Sequence, residues 1–287
     1  MEFKLPKGYL SPSQIWLYMA CGIKYWFTYI EKISGQSDTN MRIGTAVHSA
    51  LELYYKMVIE EQFRVDEKDA VEHAVDMFSQ VSEEEGVKVA GDEKDIAANL
   101  ITRATSSYIR YIAPTISPIS TEEDIKYTSE CGVPIVGKLD LRRHPHDWEK
   151  ELYPDLDQVI TDHKVGAVWS LSKLRNSLQF VLYSKATGVP RVEIHNVKRD
   201  IKGVRANKIT PAKQKEDVVE PVSNIRLLRS NFDAVDYVYA ENMIETIATY
   251  ISKGVFMPCA PDSWTCTPAK CSYWTRCRGT GVIPKAA

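Results

Sequence analysis

The chain has no apolar run near the roughly 18 residues that a membrane span needs. Its opening, MEFKLPKGYL, lacks the basic and then apolar layout of a secretory signal. A cytoplasmic location is therefore expected. Overall charge bias is also missing: 36 lysines and arginines stand against 38 acidic residues, a net charge of -2. Nothing global marks a polyanion binder, so any such surface has to be local. There is no internal repeat and no low-complexity tract, which sets aside solenoids and linkers. Cysteine is scarce, with six in 287 residues. A chain of this length without export features is expected in a reducing compartment, where clustered thiols hold metal more often than they form disulfides. Its length fits one large domain or a core with an appended subdomain.

The charge is unevenly spread. Residues 52–97 carry 14 acidic and 5 basic side chains, whereas residues 191–229 carry 10 basic and 5 acidic ones, so a polyanion is expected at the second stretch. Ser11, Pro12 and Gln14 read as a capped helix start running to about Met19, with Gly22 as its stop. The aromatic segment IKYWFTYIEKI reads as a second helix, which leaves Cys21 at the joint. From Gly44, the residues Val47, Leu51, Tyr54 and Val58 recur at helical spacing, and two more helices are expected near 66–81 and 92–112.

After Pro114 and Pro118 the pattern changes. IKYTSE and VPIVGKLDLRR form a hairpin joined at Cys131 and Gly132, and QVITDHK and RVEIHNVKR read as further strands. The polar segment RRHPHDWEKELYPDLD reads as an exposed link. A single helix is expected from Ser170 to Thr187, a basic excursion over 200–229 and a long helix over 231–253. The order predicts an α/β fold, divided into a helical region (1–112), an α/β core (113–230) and a C-terminal helix with a cysteine-rich tail (231–287).

Three features carry chemistry. Asp140 ends GKLD, and Asp162 and Lys164 lie two apart in TDHK, so they share one side of a strand. Two carboxylates and a lysine suit a divalent ion and a phosphate, although an Asp-x-Lys on a strand is most often a solvated ion pair. His48 and Glu52 are one helical turn apart. Arg175, Gln179 and Tyr183 form a polar stripe of the same kind, suited to a phosphate backbone or simply to a solvated flank. Finally, Cys266, Cys271 and Cys277 are separated by four and five residues, close enough to converge on one centre, with Cys21 as the fourth thiol. Spacing leaves zinc and an iron–sulfur cluster open. Cys259, seven residues before the trio, reads first as a turn residue in MPCAPD, with a substitute ligand as the alternative, and Cys131 reads as structural.

In order and approximate spacing, SPSQIWLYMACGIKYWF, GTAVH, GKLD, TDHK, QFVLY and PDSWTCTPAKCSYWTRC resemble the PD-(D/E)XK nuclease superfamily, in its RecB-like exonuclease branch, across nearly the whole chain. The ending looks most like phage-type RecB nucleases. The split cysteines are similar to those of CRISPR-associated RecB-like exonucleases and AddB nuclease domains. The resemblance implies a restriction-endonuclease-like α/β core, a mixed central sheet flanked by helices, with helical N-terminal additions and an iron–sulfur clamp joining the termini. It also implies a DNA exonuclease using Mg2+ or Mn2+ on DNA ends or single strands, in phage DNA processing, recombination or CRISPR adaptation. His48, Asp140 and Asp162 become metal ligands, joined by the carbonyl of His163, and Lys164 becomes the catalytic lysine. Gln179 and Tyr183 take the family's Gln-x-x-x-Tyr positions. Cys21, Cys266, Cys271 and Cys277 become ligands of a [4Fe-4S] cluster. DNA is expected along Arg175, Gln179 and Tyr183 and along Lys202, Arg205 and Lys208 of the basic stretch. Val165 departs from the common threonine, and four residues rather than two separate Cys266 from Cys271. The rival is a DNA-binding or adaptor subunit that kept the fold without catalysis; intact Asp140, Asp162 and Lys164 count against it.

Overall fold

Helix signals at the start are realised with two changes. In the computed structural model, which describes all residues except 1–2, 34, 36–37, 88, 90, 199–203 and 280–287, Ser11 caps α1 (Pro12–Ala20) by accepting from the Gln14 amide at 3.2 Å. The Gln14 side chain does not complete a capping box. It is buried and accepts from the Tyr25 hydroxyl. The stop is the extended backbone of Cys21, and Gly22 instead begins α2 (Gly22–Tyr25), which runs on as a π turn (Trp26–Ile30). Three long amphipathic helices follow: α3 (Thr39–Glu60), α4 (Glu67–Glu84) and α5 (Gly91–Tyr111). Asp38 caps α3 through the Met41 amide.

The hairpin forms as β1 (Pro118–Thr128) and β2 (Pro134–Arg143), turning through Gly132 at a φ of +88°. A left-handed position of this kind favours glycine. Next come α6 (Asp147–Leu152), β3 (Val159–Gly166), α7 (Leu171–Arg175), α8 (Leu178–Thr187) and β4 (Arg191–Lys198). The chain then passes through α9 (Pro211–Gln214), β5 (Val218–Val222) and β6 (Ile225–Asn231) to α10 (Ala234–Ser252). The sheet order is β1-β2-β3-β4-β6-β5. Only the central β3–β4 pair is parallel, bridged by α7 and α8. The fold is a mixed α/β sheet covered on both faces, consistent with the restriction-endonuclease-like expectation. One core sets Ile135, Ile160, Val192, Ile194 and Leu228 of the sheet against α1, α8 and α10. The other sets Leu141, Val197 and Ile225 against α3, α4 and α5. Among the described residues no helix is long and apolar enough to cross a membrane.

Three expectations are corrected. The helix expected over 170–187 is broken: Ser177 is extended between α7 and α8, which turns Arg175 away from Gln179 and Tyr183. The basic stretch 200–229 is not only an excursion, because β5 and β6 extend the sheet. The supposedly exposed link carries α6, with Trp148 and Glu149 buried. Its reason for burial is Arg143, which has no exposed surface and binds Glu149 at 2.7 Å and Glu193 at 2.6 Å. Arg229 holds the other Glu193 oxygen at 2.7 Å. Burial alone would raise the Glu193 carboxyl, but Arg143 and Arg229 outweigh it and hold Glu193 well below the usual range. Removing Arg143 takes the closest guanidinium from Glu149, which is left with Arg191 at 3.6 Å, and one of two from Glu193. Arg143→Met is therefore expected to cost about 3–5 kcal/mol, read as a lower denaturant midpoint. An unchanged midpoint would show that the cluster is dispensable.

Candidate active site

The site opens where a strand ladder ends. β2 and β3 pair Arg143 with Val159, Arg142 with Ile160 and Leu141 with Thr161. One further step in that register sets Asp140 opposite Asp162, but the ladder stops there. The His163 amide then donates to the Asp140 carboxylate at 2.8 Å rather than to backbone. The same Asp140 oxygen lies 3.4 Å from His48 Nδ1, supplied by α3, and 3.7 Å from His163 Nδ1. His48, Asp140 and His163 thus offer three ligand atoms within 4.8 Å of one another. This trio includes the His163 ring, whereas the sequence expectation placed its carbonyl there.

Period-2 geometry puts Asp162 and Lys164 together, with the Lys164 ammonium 2.8 Å from Asp162. Gln179, in the first turn of α8, donates to Asp162 at 3.1 Å and lies 3.5 Å from Lys164. One turn on, the Tyr183 ring covers Gly137: a Cβ built there would lie 2.7 Å from the ring. The glycine of GKLD is therefore required by close approach. Arg175 stands apart, 55% exposed and paired with Asp217 at 3.0 Å. Arg205 and Lys208 lie beyond β4; the Arg205 amide bonds Ser223 at the β5–β6 turn, and neither residue lines the groove above the site. Lys202 lies outside the described residues. Among the described residues of that stretch, Arg205 and Lys208 therefore stand apart from the groove.

Burial and then the neighbouring Asp162 charge hold the Asp140 carboxyl well above the usual range. Burial acts to lower the Lys164 ammonium, but Asp162 and Asp140 outweigh it and keep it protonated. His48 and His163 are lowered, chiefly by burial, and stay neutral with nitrogen lone pairs available. Two close carboxylates, neutral imidazoles and a protonated amine fit a divalent cation. In metal-free protein the raised Asp140 stabilises the fold only at low pH: its contribution is complete below about pH 4 and is lost as pH rises through the raised value. Asp140→Asn is neutral at every pH. In chelator near neutral pH it is expected to melt a few degrees above wild type, the gap closing toward pH 4. A pH-independent gap in thermal unfolding would contradict this origin.

Sequence reasoning missed what lies behind His163. Its Nε2 is 2.9 Å from the Tyr108 hydroxyl, which is 2.7 Å from His195 Nδ1 and 2.9 Å from the Tyr55 hydroxyl. His195 continues to Glu193 at 3.2 Å. A buried chain therefore joins the candidate ligand His163 to the Arg143 cluster and fixes the ring's orientation, as partners behind metal ligands do. The available signal was the parity of Glu193 with His195, and of Thr161 with His163, on adjacent strands.

A second cavity is lined by Cys21, Cys259, Cys266, Cys271 and Cys277, with Phe27 and Tyr273 beside them. None of the cysteines is in a disulfide. Cys259, read from sequence as a turn residue, is within hydrogen-bonding reach of Cys21 and Cys266. Burial first, then Cys21, push its thiol up to about 12. Cys131 stays apart, against the Ser129 hydroxyl in the hairpin. The cavity is built by a seam between the two ends of the described chain. A Cβ on Gly22 would lie 2.7 Å from the Met257 amide nitrogen. The Tyr18 hydroxyl donates to the Val255 carbonyl at 2.6 Å, and Tyr273 stacks on Phe27 and donates to the Ile33 carbonyl.

A carboxylate pair, a lysine and a histidine at the splayed end of a mixed sheet define a metal-assisted phosphodiester-cleaving class of protein. Residues 9–278 match the profile of the PD-(D/E)XK nuclease superfamily, and the chain belongs to it. This makes it by class a metal-dependent nuclease. No curated protein matches the chain. The solved structure of a protein called SSO0001 is similar over 83% of this chain and 97% of its own, at 12% identity and a TM-score of 0.34, a likeness too loose to bear on the site.

Proposed function

We propose that the protein is a DNA exonuclease of the RecB-like branch, hydrolysing phosphodiester bonds at DNA ends or in single strands, in phage DNA processing, recombination or CRISPR adaptation. The observation that carries this reading is the meeting of His48, Asp140 and His163 within 4.8 Å, beside the Asp162–Lys164 pair. Asp140 and Asp162, with His48 and His163, would hold Mg2+ or Mn2+. Once bound, the ion supplies charge against the pentavalent phosphorus and lowers the pKa of an attacking water. Lys164 keeps its proton and presents positive charge to the same phosphate. Gln179 fixes the Asp162 carboxylate, and the buried Tyr108 chain holds the His163 ring.

Cys21, Cys266, Cys271 and Cys277 would hold a [4Fe-4S] cluster. Five unpaired thiols lining one cavity support a metal centre there, and the seam from Gly22 to Met257 supports a structural role. The test is digestion of end-labelled single and double strands with Mg2+, Mn2+ or chelator. Stepwise release of mononucleotides from ends is expected. Binding without release in either metal would favour the adaptor reading, and internal fragments would overturn the exonuclease assignment.

A further inference from the structure

We propose that the groove roofed by α1 is a channel for single-stranded nucleic acid, with an unpaired base stacking on Trp16 and phosphates meeting Lys7 and Lys173. The inference rests on the nuclease reading for what happens at its floor, but its binding role stands on separate observations.

The groove has a volume of about 900 Å3, and Lys164, Gln179 and Tyr183 line it. Two of these lining residues, Lys164 and Gln179, contact the Asp162 carboxylate directly, at 2.8 and 3.1 Å. Four lysines line the groove, at 7, 138, 164 and 173, with Asp124 the one acidic lining residue among those described. Lys138 is neutralised by Glu122 at 3.3 Å, and Lys164 by Asp162. Lys7 and Lys173 have aromatic neighbours instead. The Lys7 ammonium lies 5.1 Å from the Tyr29 ring centre and the Lys173 ammonium 4.1 Å from that of Trp169. No ion pair to a carboxylate is seen for either among the described residues. Such cations keep their charge for a phosphate.

Trp16 stands at the lip, 67% exposed, on a helix whose Ile15 and Gln14 are buried. This largely exposed indole borders both the lysine-lined groove and the cysteine cavity, and it matches the face of a base. Rings of this kind accept any unpaired base, whereas a duplex hides its base faces within its own stack. The site therefore takes single strands, or the frayed end of a duplex.

The test measures binding in chelator, where no hydrolysis occurs, using a fluorescein-labelled oligo-dT and a hairpin duplex of equal charge. Wild type is expected to bind the single strand more tightly. Trp16→Ala should weaken it about tenfold or more, the loss of one stacked base, and Trp16→Phe should restore most of that. Lys173→Ala should lower the slope of log affinity against log salt by about 0.7. Arg175→Ala should change neither, since its guanidinium is held by Asp217. Equal binding of duplex and single strand, or unchanged affinity in both Trp16→Ala and Lys173→Ala, would overturn the channel. Tight single-strand binding with no cleavage in Mn2+ would instead defeat the nuclease reading and leave the channel standing.

Discussion

Asp162→Ala and Lys164→Ala are each expected to cut DNA cleavage by about a hundredfold or more while the protein stays folded. Both side chains act on charge that develops in the transition state, where loss of one electrostatic partner typically costs two to three orders of magnitude. The effects should not add. The carboxylate and ammonium form one 2.8 Å pair, so the double variant is expected to be little worse than either single one. His48→Ala should act differently, by weakening metal use, so that excess Mn2+ restores part of the rate. Single-turnover cleavage at saturating DNA provides the measurement. Ordinary activity of Asp162→Ala in Mg2+ would remove this site from the chemistry.

The second large effect concerns the cysteine cavity. Cys21→Ala and Cys271→Ala, purified anaerobically, are expected to lose iron and labile sulfide together and to melt roughly 10 °C or more below wild type. A structural metal centre contributes several kcal/mol to folding, and each kcal/mol moves the midpoint of a chain this size by about 2–4 °C. Cys131→Ala should keep its full metal content. Cys259→Ala should keep iron as well; iron lost there but retained in Cys271→Ala would reassign the fourth ligand. Stoichiometric zinc without iron in wild type would replace the cluster by a zinc site.

What the sequence made legible was local. The Ser11 cap, the apolar stripe of α3 and the turn at Gly132 each state their structure within a few residues, and period 2 in TDHK sufficed to put Asp162 beside Lys164. Charge was the misleading signal. Arg143 and Glu149 fell in the segment read as an exposed link because each is costly to bury alone; with Glu193 and Arg229 they neutralise one another under α6 and β4. Lysines around 200–215 likewise masked the short apolar alternation of β5 and β6. The break at Ser177 carries no proline or glycine, so nothing in the helical pattern announced it. Tyr55, Tyr108 and His195 meet His163 across two helices and a strand, a convergence no spacing along the chain encodes. Cys259 was missed for the same reason: its neighbours Cys21 and Cys266 are set by the seam.

That seam also orders the events of biosynthesis. Gly22 rests on the backbone of Phe256 and Met257, and Tyr18 bonds to Val255, 237 residues further along the chain, so the platform for α1 is made long after α1 itself. Domains emerging N-terminal first ordinarily begin to fold as they appear; here α1 must wait for the segment that follows α10. Catalytic strands can assemble earlier, but without α1 the groove above them has no roof. A nascent chain would therefore complete its carboxylate site before it could hold a strand against it, which delays the nuclease until residues up to Met257 have emerged.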